Sequence, residues 1–367
     1  MAVLARPLLR LPTEVALRLW SWISLALLSI SAVLVVRGFT RVSFIAGMVR
    51  FLFILTLFFV FAPTQFDLML GQADILILFL LMSTFLLYRR GNSVAGITLA
   101  FAIAIKPIVV PMLLFFLWKR EWRISIITAV ATALLMTLGF SLAGWVWLPD
   151  YIEATRQWSS GAIIAFPVNQ SVKGLALRMF THNAYIQPLY FKPWLAHAIP
   201  LLVGLLAVGS WLIRVSRSAD TGKSIVGLEY GLTLTTLMLL SPLAEDIHFV
   251  WVLLPLSALL LVAIEHIDGV KAVLPLVVFF VNALYLGYPS IGGRIYAGHE
   301  TLLYHNELVE RSNVFYSGLY LYGLIAVQVC LVIQLYVQRS RKDRRLLGRR
   351  DSSQTDAQIW SRLWNSP

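Results

Sequence analysis

The sequence predicts an all-α protein that crosses a membrane many times, and three observations carry that prediction. First, 59% of the 367 residues are hydrophobic and only 13% are charged, with a mean hydropathy of +0.79. That balance lies outside ordinary soluble domains and fits a polytopic membrane protein. Second, apolar runs of spanning length alternate with short basic clusters along the whole chain. Third, one apolar run, Val94 to Trp118, is interrupted at its middle by Lys106-Pro107 and flanked on both sides by Arg and Lys.

In chain order, Leu17 to Val36 is the first span, ending at Arg37 and Arg41. Phe44 to Ala62 is the second, with Arg50 near one end where a long side chain can snorkel. Pro63 to Gln72 reads as a short outer turn, and Ala73 to Tyr88 returns to Arg89-Arg90. Val94 to Trp118 is long enough to cross a layer of roughly 30 Å once, or to dip in and turn back at Lys106-Pro107. Charge decides between these, because basic loops stay cytoplasmic. A hairpin places Lys119, Arg120, Arg123, Arg214, Arg217, Lys223, Lys271 and the tail from Arg339 together, whereas a single span exports them. A re-entrant tip at that depth requires a polar cavity to satisfy its backbone.

Ile124 to Ala143 then crosses outward, and Gly144 to Trp194 forms a long outer segment with Trp145, Trp147, Trp158 and Trp194 suited to an interfacial belt. Leu195 to Ile213, Ile225 to Leu240, Phe249 to Ile264, Ala272 to Tyr288 and Tyr316 to Val337 complete the set. The expectation is about nine transmembrane helices plus one re-entrant helical hairpin at 94–118. They form a single membrane domain over 1–338, with outer loops at 144–194 and 289–315 and a basic cytoplasmic tail at 339–367.

The net charge of +12 follows this loop pattern, so no nucleic-acid partner is expected. One cysteine, Cys330, excludes an intrachain disulfide. Met1 to Val15 has no continuous apolar stretch of the kind a cleaved signal peptide needs.

Polar residues beside spans are costly and mark function. Four segments carry them on the outer side. Gly71-Gln72-Ala73-Asp74 opens a span, where Asp74 also suits the first turn of a helix. Lys106-Pro107 offers an ammonium to an anion such as phosphate, although a lysine at an interface can also snorkel. Asn169-Gln170-Ser171 followed by Arg178 reads either as a helix cap or as a set of contacts for a sugar. Glu245-Asp246-Ile247-His248 supplies carboxylates for a general base and an imidazole for a phosphate. No glycine-rich nucleotide loop, Walker pattern or HExxH spacing is present, so a donor is expected from the lipid phase.

In this order, GQAD at Gly71 to Asp74, RRGNSVAGITLAFAIAIKP ending in KREWR, NQSVKGLALR and LLSPLAEDIHFVW resemble glycosyltransferase family 87. These are polyprenyl-phosphate-dependent mannosyltransferases of the GT-C type, and the resemblance covers about Leu9 to Val337. It implies transfer of a hexose, mannose by family habit, from a polyprenyl phosphate to a glycolipid or glycan acceptor outside the cytoplasm. It also implies inversion at the anomeric carbon, no metal or other cofactor, and a place in the cell (inner) membrane with the C-terminus cytoplasmic. By position, His248 contacts the donor phosphate with Lys106 and Arg178 in support, while Asn169, Gln170, Gln72 and Asp74 line the substrate. Asp246 or Glu245 stands in as base. The family begins with a further span and an outer loop that carries the acidic residue acting as its base, for which Asp246 or Glu245 would be a replacement. Here ARPLLRLPTEVALRLW resembles the approach to the second span, so that first part is expected to be missing. A carrier or flippase of lipid-linked sugars and a truncated inactive copy are the competing expectations.

Overall fold

A computed structural model describes residues 7–39, 44–158, 161–183, 185–217, 223–264, 273–278, 281 and 318–340. Its named elements are all helices, and an isolated antiparallel bridge joins Asn169 to Glu245. The helices are α1 (Thr13–Phe39), α2 (Phe44–Val60), α3 (Ala62–Leu70), α4 (Asp74–Arg89), α5 (Ala95–Ile105), α6 (Met112–Trp118) and α7 (Trp122–Ala143). They continue as α8 (Leu148–Trp158), α9 (Gly161–Ile164), α10 (Val172–Phe180), α11 (Leu195–Arg214), α12 (Lys223–Leu240), α13 (Leu253–Ile264) and α14 (Leu319–Ser340).

Among the described residues five helices are long and apolar enough to cross a membrane, or six if the bent pair α2–α3 forms one span. The polytopic all-α class therefore holds. At about 1.5 Å per residue, α4 and α12 reach only some 24 to 27 Å, so they need their neighbours to complete a crossing. The span expected from Ala272 to Tyr288 and the outer loop at 289–315 lie largely or wholly outside the described residues, as does the tail after Ser340.

The centre of the bundle is the segment Asp246 to Ile264, whose apolar window is 94% buried, against 6% for α7. LLPLSALLLVAI is apolar on every face, as a helix surrounded by protein should be. The outward faces of α7 and α11 carry exposed Ile126, Val130, Leu134, Leu138, Leu201 and Leu205, the surface that lipid covers.

Residues 94–118 fold out and back. Pro107 lacks an N–H and disfavours helical geometry in the residue before it, so Lys106 is extended (φ −130°, ψ 99°) and α5 stops. Gly96 at the start of α5 lies against Ile124 and Ile127 at the start of α7. The returning α6 sets Phe115 and Phe116 edge-on to Tyr88, at the last turn of α4. Both ends of the hairpin therefore sit at one end of the bundle and Lys106 toward the other. A left-handed Arg120 (φ 59°) closes the turn into α7.

One segment departs from its expected form. Pro63 to Gln72 is not a plain turn: Ala62–Leu70 is a helix bent by 62° from α2. Proline at its first turn starts it, and Gly71 in the left-handed region (φ 62°) ends it. Its Ala62, Pro63, Thr64 and Asp67 are buried where α3 packs on the 3₁₀ turn Asp246–Val252.

Candidate functional site

The polar residues at the Lys106 end of the bundle converge on the N-terminus of α4. Ala73 provides no side-chain cap there, and Asp67 does so instead. Its two carboxylate oxygens accept the backbone N–H groups of Asp74 at 3.0 Å and Ile75 at 3.3 Å. The Asp67 carbonyl accepts the N–H of Gln72 at 3.0 Å, and the indole of Trp20 donates to the Gln72 carbonyl at 3.0 Å. The turn into α4 is thus held from α1 and α3 together.

Asp74 is fully buried and pairs with Lys106, Nζ to Oδ2 at 2.5 Å. The lysine side chain keeps 18% of its surface exposed, so the ammonium neutralises a buried carboxylate while still reaching solvent. On the other oxygen, Nε2 of His248 stands 4.0 Å from Asp74 Oδ1, beyond a hydrogen bond. Oδ1 is buried without a hydrogen-bond partner among the described residues.

His248 is set by a reciprocal cap. The Glu245 N–H donates to its Nδ1 at 3.0 Å, while the Glu245 side chain accepts the His248 N–H. With Nδ1 accepting, the neutral ring carries its proton on Nε2, the atom that faces Asp74. Glu245 is half-buried, and burial raises its pKa from the ordinary carboxyl value, with Lys106 pulling it down and Asp74 pushing it up. Asp246, next to it, is buried, and its Oδ1 accepts the N–H of Ile247.

The NQS segment braces this turn. Asn169 Nδ2 donates to the carbonyls of Ile164 at 2.8 Å and Pro242 at 2.9 Å, and its Oδ1 accepts the N–H groups of Ala244 at 2.9 Å and Ser171 at 3.0 Å. Ser171 donates to Pro242 O at 2.8 Å and caps α10 by accepting the Gly174 N–H at 2.9 Å. Arg178 is fully buried, and its Nη1 donates to the carbonyls of Phe166 at 3.0 Å and Asn169 at 2.9 Å. Gln170 donates from Nε2 to Pro167 O at 3.0 Å, leaving Oε1 buried without a partner among the described residues.

Of the residues singled out in the sequence, the structure gathers Asp74, Lys106, His248 and Glu245 into one cluster. Asn169 and Gln170 adjoin it through the backbone. Gln72 lies exposed in the turn before α4, Asp246 caps its own turn, and Arg178 is committed to carbonyls of the 165–169 loop. Asp67 escapes the sequence reading, because PTQFDLML reads as a turn. Gly71 was the available signal, since a glycine after an apolar stretch marks a helix end. No group of three or more His, Cys, Asp and Glu side chains suited to a metal occurs among the described residues.

A helical bundle with a buried charge cluster at one end defines a polytopic membrane protein with a polar site near its surface. Over residues 1–242 the chain matches the model of glycosyltransferase family 87, and it belongs to that family. The matched region takes in Asp67, Asp74, Lys106 and Asn169 to Arg178, and ends before Glu245 and His248. No curated protein and no solved structure matches the chain. Family membership makes it a membrane glycosyltransferase.

Proposed function

We propose that the Asp74–Lys106–His248–Glu245 cluster is where a polyprenyl-phosphate hexose, mannose by family expectation, meets an acceptor hydroxyl of a glycolipid or glycan. The observation that carries this reading is Lys106 at the hairpin tip, paired with buried Asp74 yet part-exposed. A phosphate arriving from the lipid layer finds there an ammonium in a low-dielectric setting, with the His248 Nε2–H beside it. In transfer, the acceptor oxygen bonds to the anomeric carbon from the face opposite the phosphate, and the bond from that carbon to the phosphate oxygen breaks. The configuration inverts, and the lipid keeps the phosphate. The hydroxyl proton passes to a carboxylate. Glu245 is the better placed of the two candidates, since Asp246 is buried and already bonded to its own turn.

Lys106 and His248 supply the positive and donating groups for the leaving phosphate, so the proposed step needs no metal. The cluster end faces outside the cytoplasm of the cell (inner) membrane, and the end bearing Lys119 and Arg339 faces in, by the asymmetry of basic loops. A carrier of lipid-linked sugars would also use broken helices. Both α2–α3 and α5–α6 are broken elements, so the number of breaks does not separate enzyme from carrier, whereas family membership favours the enzyme.

The test is incubation of membranes containing the protein with labelled polyprenyl-phosphate sugars. His248→Ala is expected to lower transfer about 100-fold, in the range for loss of one charge-stabilising donor. Transfer that persists at the wild-type rate in the variant would remove His248 from the phosphate.

A further inference from the structure

We infer that Asp67 is the positioning residue of this site, setting the Asp74–Lys106 pair in place without touching substrate. The inference rests on the donor-phosphate reading of Lys106. The carboxylate of Asp67 is 1% exposed, and both its oxygens are used on the first two N–H groups of α4. One of those N–H groups belongs to Asp74 itself. The backbone of Asp74 is therefore fixed by one carboxylate while its side chain fixes Lys106.

This geometry does more than an ordinary cap requires. A cap residue ordinarily stands at the helix boundary itself, where its side chain accepts from the second or third N–H. Here the boundary residue is Ala73, and the cap comes from another helix seven residues upstream of Asp74. It therefore ties two elements rather than ending one. α3 packs on Asp246–Val252, the turn that carries His248. Asp67 thus links the element against His248 to the element that carries Asp74. The turn between them is closed by left-handed Gly71 and by Trp20 on Gln72, leaving little slack. Losing the Asp67 carboxylate would free the start of α4, and Lys106 would follow Asp74 out of register with the imidazole.

The experiment uses the full-length protein in detergent and measures binding of polyprenyl monophosphate by quenching of tryptophan fluorescence, together with donor KM and kcat in the transfer assay. Asp67→Ala is expected to weaken lipid-phosphate binding about fivefold to tenfold and to raise donor KM by a similar factor, with acceptor KM unchanged. Asp67→Asn, which keeps one acceptor oxygen, falls between Asp67→Ala and wild type. A merely structural role lowers the yield of folded protein and apparent kcat but leaves Kd and donor KM per folded molecule at wild-type values. That result overturns the inference. Lys106→Ala, run in parallel, separates the two layers. If it leaves Kd unchanged, the donor-phosphate reading itself falls. If it weakens binding and Asp67→Ala does not, only the positioning role falls.

Discussion

Glu245 is held by its backbone and by one contact of its carboxylate, yet it stays half-open at the edge of the cluster. Burial raises its pKa, and only the ionised form can accept a proton. The acid limb of the pH–rate profile is therefore expected above the ordinary glutamate range, with transfer falling as pH drops through it. Glu245→Gln should cost about 100-fold or more in kcat, the scale of a lost general base. Wild-type turnover by Glu245→Gln in the same assay would assign the proton elsewhere. At this scale the sequence was readable where a charge interrupts apolar surroundings, as at Asp74, Lys106 and His248. Local capping was readable too, since the helix-cap reading of Asn169-Gln170-Ser171 is met by Ser171 at the start of α10, but side chains that serve backbone further off were not. Asn169 answers to the Pro242 carbonyl and the Ala244 N–H of a distant loop, Arg178 to carbonyls of the 165–169 loop, and nothing in their spacing reveals those partners.

The hairpin is held at its base by a second buried charge group. Glu229 of α12 is fully buried and pairs with Lys119 at 2.7 Å, just past α6, and with Arg339 of α14 at 2.7 Å. The N–H of Ser216 also donates to it at 2.8 Å. Arg217 lies over the Trp118 ring, 4.3 Å from its centroid, and Arg214 over Tyr336 at 5.0 Å. Removing one member of a buried ion pair costs roughly 3–5 kcal/mol, because the partner charge stays behind. Glu229→Gln should lower the unfolding midpoint of the detergent-solubilised protein accordingly. The triple variant Lys119→Met, Glu229→Leu, Arg339→Met, which removes all three charges, should recover much of that loss, and a triple variant no more stable than the single one would contradict this account. Helix boundaries were legible to within a few residues, because apolar runs end where charges begin. The exceptions are α3, α8 and α9, helices inside segments that read as turn or loop, and Glu229, whose burial inside an apolar run gives its partner Lys119 no local signal.

Across the whole molecule, the two charge groups lie at opposite ends of α4, with Asp74 at its first residue and Tyr88 near its last beside Phe115 and Phe116. The bundle is thus polarised: one end carries the cluster and the other the basic loops. In a Cys330→Ala background, an impermeant maleimide applied to intact cells is expected to label Gln72→Cys and not Arg123→Cys, both positions being exposed. The reverse pattern would invert the proposed orientation. The separation of Lys106 from Lys119 and Arg339 along the bundle was legible, since a tally of Lys and Arg needs no tertiary detail. The number of full crossings was not, because helices enclosed by protein need not match the hydrocarbon thickness.

The Lys119–Glu229–Arg339 group also sets an order of events during synthesis. Lys119 and Arg339 each lie 110 residues from Glu229, on either side of it. At ribosomal rates the lysine waits roughly 5 to 20 s for its counterion, and the carboxylate waits as long again for its arginine. Until α14 arrives, Glu229 holds one of its two cationic partners and the base of the hairpin is tied to α12 alone.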